Sequence, residues 1–144
     1  MKKAGADVRE GVIRVRFDPG LINEAIATVP SEFKLHARNP QHSVTFNGDN
    51  IVFNMMASAP NCSDTDRGRR AGNQEDYRNF LRLAQMHNIL HVTGGYPVEP
   101  VDIHPSVRHL DCIQDYITLT DKAYCIYALG EDRVSDAIEM TRIA

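Results

Sequence analysis

Strand, helix, strand, helix, strand, helix: read from Ile51 to Ala144, that order predicts an α/β chain built on a parallel sheet. Two observations carry the prediction. Apolar strand-like runs begin near residues 51, 89 and 123, spacings of 38 and 34 residues, and each leads into a helical pattern. The first third of the chain has a different grammar, a short helix and an antiparallel hairpin. Consecutive parallel strands joined by helices need right-handed crossovers. Eight such units would fill roughly the 250 residues of a (β/α)8 barrel, and an open doubly wound sheet fits the same order. The expected division is a cap over residues 1–50 and the first three β-α units of a partial TIM barrel over 51–144. The last helical pattern meets no stop signal, so the barrel is expected to continue in a longer chain, and the fragment alone is expected to be inactive.

Residues 12–17 alternate, with Ile13, Val15 and Phe17 opposite Arg14 and Arg16, as in a half-buried strand. Asp18-Pro19 supplies an N-cap and a proline at the first helical position. Leu21, Ile22, Ala25, Ile26 and Val29 then recur at helical spacing up to Pro30, predicting a helix over 19–29. Phe33, Leu35 and Ala37 alternate with charged neighbours as a second strand. Ser43–Phe46 and Ile51–Asn54 flank Asn47-Gly48-Asp49-Asn50, and Asn and Gly tolerate the positive φ of a hairpin turn.

Asn73 caps a helix over 74–87 whose stripe is Tyr77, Phe80, Leu81 and Ala84, with Glu75 and Asp76 at its positive end. Ile89–Thr93, ended by Gly94-Gly95, reads as a strand buried on both faces. Asp102 is placed to cap the next helix, 103–119, with Pro105 in its first turn. Ala123–Ala128 is the third strand, and Gly130-Glu131-Asp132 opens a last helix over 131–143.

Composition narrows the function. The 144 residues carry 16 basic and 19 acidic side chains, a net charge of −3, and no basic stripe for nucleic acid. No apolar run reaches the length of a membrane span, and the first residues lack the apolar centre of a signal peptide. Cys62, Cys112 and Cys125 are odd in number and show no C-x-x-C spacing, which fits a reducing, cytoplasmic setting. Dinucleotide, phosphate-loop and nucleophile-elbow motifs are absent. His104 and His109 are five residues apart and do not share a helical face, so no metal site is expected.

Position then selects candidates. Barrel chemistry sits at the carboxyl ends of strands. Those places are Ser58-Ala59-Pro60-Asn61, Gly94-Gly95-Tyr96 with Glu99, and Tyr127. Tyr96, Tyr127 and Glu99 offer aromatic faces and a carboxylate, which suit a methylated ammonium through cation–π attraction and charge. The competing reading is that the tyrosines pack and Glu99 is solvated. Asp64 and Asp66 read as a surface loop.

The segments Leu35-His36-Ala37-Arg38-Asn39-Pro40, Ser58-Ala59-Pro60, Pro97-Val98-Glu99-Pro100-Val101-Asp102, Arg108-His109-Leu110, Thr120-Asp121-Lys122 and Ala137-Ile138-Glu139-Met140 follow one another in an order that resembles the amino-terminal portion of the trimethylamine methyltransferase family. The resemblance runs from about residue 11 onward. It implies a β/α barrel that moves a methyl group from trimethylamine, or from a quaternary amine such as glycine betaine, to a corrinoid carried on a partner protein. It also implies an oligomer at full length and a role in methylamine metabolism, in some members methanogenesis. Ser58, Asn61, Tyr96, Glu99 and Tyr127 are then the expected substrate-binding residues, with no corrinoid bound by this chain itself. The alternatives are another β/α-barrel enzyme, a lyase or hydrolase, and a non-catalytic fragment.

Overall fold

The computed structural model describes residues 1–9, 11, 13–126 and 129–144. They form two compact units, Met1–Phe33 and Lys34–Ala144. The first holds an antiparallel pair, β1 (Asp7–Val8) and β2 (Val15–Arg16), with Val8 opposite Val15. Helix α1 (Pro19–Ala27) follows. The Asp18 carboxylate accepts from the Gly20 N–H at 2.8 Å, and Pro19 occupies the first turn, as the sequence predicts. The apolar face is helical in spacing yet uncovered: Ile22, Ile26 and Val29 are all exposed.

The second unit begins with β3 (Phe33–Leu35), whose first residue is shared with the boundary, and β4 (Val44–Phe46), which lies beside β3. The hairpin expected between Ser43–Phe46 and Ile51–Asn54 is therefore not the pairing found. Asn54 instead pairs in parallel with Val92. The Asn47 side chain still turns the chain, accepting from Asp49 and Asn50 N–H groups at 3.0 and 2.9 Å, but the strand leaving it joins the larger sheet. A hairpin absent from the sequence reading follows, β5 (Asn61–Asp64) paired antiparallel with β6 (Gly68–Ala71).

Helix α2 (Gln74–Met86) leads to β7 (Val92–Gly94), helix α3 (Arg108–Leu119) to β8 (Ala123–Cys125), and α4 (Glu131–Ile143) closes the order. β7 and β8 are parallel, with Thr93 opposite Tyr124. Together with the Asn54–Val92 pair, three parallel segments lie side by side in chain order, joined by α2 and α3, and consecutive helices pack on one another. This is the mixed α/β architecture expected.

Helix α2 receives two caps. Asn73 accepts from the Asp76 N–H at 2.8 Å, and Asp102 accepts from the Gln74 N–H at 2.9 Å. Asp102 was expected to cap the following helix, and it caps the preceding one across space. Helix α3 starts later than 103 because Arg108 binds the Ile103 carbonyl through Nη2 at 2.8 Å and Nε at 3.1 Å, holding 103–107 as a turn. The core gathers Cys62, Tyr77, Leu81, Tyr96, Val98, Cys112 and Tyr116, with Phe80, Leu119 and Tyr124 packed against it.

Two of the segments that carry the resemblance meet just ahead of β8. Asn39 and His42, just after Leu35–Arg38, reach Asp121, which also accepts from Gln85: Asn39 Nδ2 at 3.0 Å, Gln85 Nε2 at 2.8 Å and His42 Nδ1 at 2.6 Å. The Asn39 hydrogen bond, with those of Gln85 and His42, outweighs burial and holds the Asp121 carboxyl at about 2, below its ordinary 3.8. A depressed carboxyl stabilises the fold fully above its unfolded pKa and loses that contribution as pH falls from 3.8 through about 2. Because Asp121 is partly exposed, the contribution is about 1 kcal/mol. Urea unfolding should show wild type more stable than Asp121→Asn at about pH 5, with the gap shrinking by about 1 kcal/mol at about pH 2. A gap independent of pH would show that Asp121 acts through packing.

Candidate active site at the carboxyl ends of the parallel strands

Residues 53–60 run alongside 91–99 on a continuous track of backbone hydrogen bonds. His91 and Val92 N–H groups donate to the Phe53 carbonyl at 3.0 and 3.2 Å, and Met55 N–H donates to Val92 at 3.3 Å. Beyond the strand ends, Ser58 N–H donates to Tyr96 at 2.7 Å and Glu99 N–H to Ala59 at 2.8 Å. Two further bonds tie in the end of the β5–β6 hairpin, Gly72 N–H to Pro60 and Val101 N–H to Gly72, each 3.2 Å. Gly72 is required there, since a Cβ would collide with Val98 and lie 2.8 Å from the Glu99 carbonyl oxygen. The structure thus brings Ser58, Tyr96 and Glu99 together through their backbones, with Asn61 at the start of β5.

The side chains diverge. Ser58 is exposed, and at φ +66° it is the one non-glycine residue described with a left-handed backbone, a conformation that costs about 1–3 kcal/mol and clusters at functional sites. Tyr96 is 8% exposed and sits edge-on to Tyr77, ring centroids 5.9 Å apart. Burial chiefly, then the charges on Cys112 and Glu99, push its hydroxyl far above the ordinary tyrosine value. The Glu99 carboxylate is ion-paired with Arg108, an arginine the sequence reading did not single out. Tyr127 lies outside the described residues. Asp64 is exposed and pairs with Arg67 at 3.0 Å and Arg70 at 2.8 Å, while Arg70 also binds buried Asp76; these pairs fasten the hairpin to α2.

Tyr96 turns toward the helices because Gly95, at φ +63°, breaks the strand's alternation just before it. The ring borders a small space with His109, Ile113, Ile126, Arg133 and Ala137, residues of α3, of α4 and of the position just after β8. The opposite face of the sheet carries Asn54, Gly94 and Cys125, of which the sequence reading named Gly94 as a strand-end position and passed over Asn54 and Cys125. Strand parity alone could have found them. His109 Nε2 lies 2.9 Å from Asp136, so Arg108-His109-Leu110 and the last helix also join at this end.

A parallel strand order with helical crossovers and a tied loop cluster at the carboxyl ends defines an α/β scaffold. Within that class the chain belongs to the trimethylamine methyltransferase family, whose pattern it matches over residues 1–144. It is 38% identical over 130 residues to the glycine betaine methyltransferase of Desulfitobacterium hafniense (strain Y51), a match covering 90% of this chain and 27% of that relative. The chain therefore spans about a quarter of the length of the curated relative it matches. No helix among the described residues is long and apolar enough to cross a membrane.

Proposed function

We propose that the chain is the amino-terminal part of a β/α-barrel methyltransferase that takes a methyl group from a quaternary amine and passes it to a corrinoid on a partner protein. The observation that carries this reading is the 38% identity to a glycine betaine methyltransferase across nine-tenths of the chain. The parallel, chain-ordered segments at Asn54, β7 and β8 support the barrel. The strand-end cluster supports a site around Ser58, Asn61, the Tyr96 backbone and Glu99, with Glu99 set in place by Arg108.

Bound to its partner, the reduced corrinoid supplies the nucleophile. A quaternary nitrogen carries its own leaving group: the C–N bond breaks, the tertiary amine departs with the electron pair, and no proton moves. The barrel's work is then to hold one methyl carbon in line and to exclude water. The residues described fit that task. Around the cluster Glu99 is ion-paired with Arg108, and His109 Nε2 lies 2.9 Å from Asp136. Trimethylamine, whose leaving group is poorer, would need activation.

The test is methyl transfer by the protein at the full length its gene encodes, with its corrinoid partner reduced. Glycine betaine is expected to yield dimethylglycine, and trimethylamine to be turned over far more slowly or not at all. Turnover of neither, with the partner shown to accept methyl groups from another enzyme, would overturn the reading.

A further inference from the structure

The geometry points to Asn54 as a substrate-binding residue whose side-chain amide donates to the carboxylate of a quaternary amino acid. This inference rests on the methyltransferase reading above and adds the group that selects a carboxylate-bearing substrate.

Register separates the two faces of the sheet. Thr93 is paired with Tyr124, whose ring stacks on Tyr116 of α3 at 5.2 Å and whose hydroxyl meets Thr141 of α4 at 2.8 Å. That pair therefore faces the helices. The next pair, Gly94 with Cys125, faces the other way, because successive residues of a strand alternate. Asn54 pairs with Val92, two residues before Gly94 and so on the same face as Gly94. In a barrel the face opposite the crossover helices is the interior, and Gly94 and Cys125 end their strands at the side where chemistry is done.

Asn54 fills the space that Gly94 leaves open. A Cβ on Gly94 would collide with the Asn54 amide nitrogen and lie 2.8 Å from Oδ1. The amide thus lies across the carboxyl end of β7, with exposed Cys125 beyond it. Asn54 is itself exposed, and its side-chain amide has no hydrogen-bond partner among the described residues. A polar group laid over a glycine on an interior face, with its donors unused, is placed to take a ligand.

The chemistry of an amide narrows that ligand. Nδ2 carries two N–H donors and no charge. A quaternary ammonium has neither lone pair nor N–H, so the amide gains nothing specific from it. A carboxylate accepts from Nδ2 in a charge-assisted bond. Asn54 therefore favours a zwitterion such as glycine betaine over amines that bear methyl groups alone.

Binding tests this without the corrinoid partner. Calorimetry on the protein at its full encoded length should compare glycine betaine with tetramethylammonium. Asn54→Ala is expected to weaken glycine betaine about tenfold or more while changing tetramethylammonium less than about twofold. Gly94→Ala should reproduce that selective loss by displacing the amide. Asn54→Asp, nearly isosteric, should weaken glycine betaine further by like-charge repulsion and tighten tetramethylammonium. Glycine betaine affinity unchanged in Asn54→Ala, with circular dichroism showing the fold intact, overturns the assignment. Should that variant not fold, an unchanged ligand ratio in Asn54→Asp overturns it equally. A wild-type protein that binds neither ligand overturns the methyltransferase reading itself, and the role of Asn54 with it.

Discussion

Replacing Tyr77 with alanine is expected to destabilise the second unit by about 3–5 kcal/mol, the cost of emptying a large aromatic site that cannot collapse. Tyr77 has no exposed surface. Its ring meets Tyr96 and Tyr116 edge-on, each at 5.9 Å between centroids, and Tyr116 stacks in turn on Tyr124. One side chain of α2 thereby touches the segment after β7, and through Tyr116 the contact extends to α3 and β8. Its hydroxyl donates to the Cys112 carbonyl at 3.1 Å in a setting dry enough to push the Cys112 thiol up to about 12. Small domains are stable by only about 5–15 kcal/mol, so the alanine variant should lose a large share of its cooperative unfolding in urea. Tyr77→Phe keeps the ring and forfeits the hydroxyl's bond to the Cys112 carbonyl, a neutral hydrogen bond of about 1 kcal/mol. An alanine variant within about 1 kcal/mol of wild type would mean that the four tyrosines are not the keystone of this core.

The parts of this fold that the sequence revealed are those whose pattern is set by burial. Parallel strands covered on both sides read as apolar runs, and Val92 and Ala123 sit where those runs were found. Helix α4 spans Glu131–Ile143 as its spacing predicts. Hairpin β5–β6 was illegible because Asn61-Cys62-Ser63-Asp64 and Gly68-Arg69-Arg70-Ala71 contain no β-branched or aromatic residue and no alternation. Its ion pairs to Asp76 hold it, and those depend on where α2 lies. Asn54 went to the larger sheet for a similar reason: a hairpin turn fixes local direction, whereas partner choice depends on a strand 38 residues away. The site divides along the same line. Ser58, Tyr96 and Glu99 were legible as strand-end positions and do come together along the backbone. Which face each side chain takes depended on Gly95, whose left-handed backbone sends Tyr96 into the core.

Lys122 supports the second large prediction. It is buried, yet its ammonium donates to three carbonyls, Ala84 at 2.6 Å, His87 at 2.8 Å and Leu90 at 2.8 Å. Those carbonyls end α2 and form the turn that feeds β7, and they belong to the group of acceptors that a helix end leaves without internal partners. Burial draws the lysine below its ordinary pKa, and neighbouring Asp121 draws it partly back. Lys122→Met keeps the length and the apolar stem and removes every donor. Leaving the carbonyls without their charged partner is expected to cost about 2–4 kcal/mol. Hydrogen exchange should localise part of the loss, with the Leu90 amide, bonded to His87 at 3.1 Å, and the His91 amide exchanging faster than in wild type. Lys122→Arg should rescue little, since a planar guanidinium fork cannot reach three carbonyls arranged around one nitrogen. If Lys122→Met instead matches wild type in both stability and exchange, the turn is held by its own backbone bonds. The Thr120-Asp121-Lys122 segment would then act through Thr120, which binds Gln85, and through Asp121, whose partners Asn39, His42 and Gln85 would help carry the junction between 39–42 and the end of α3.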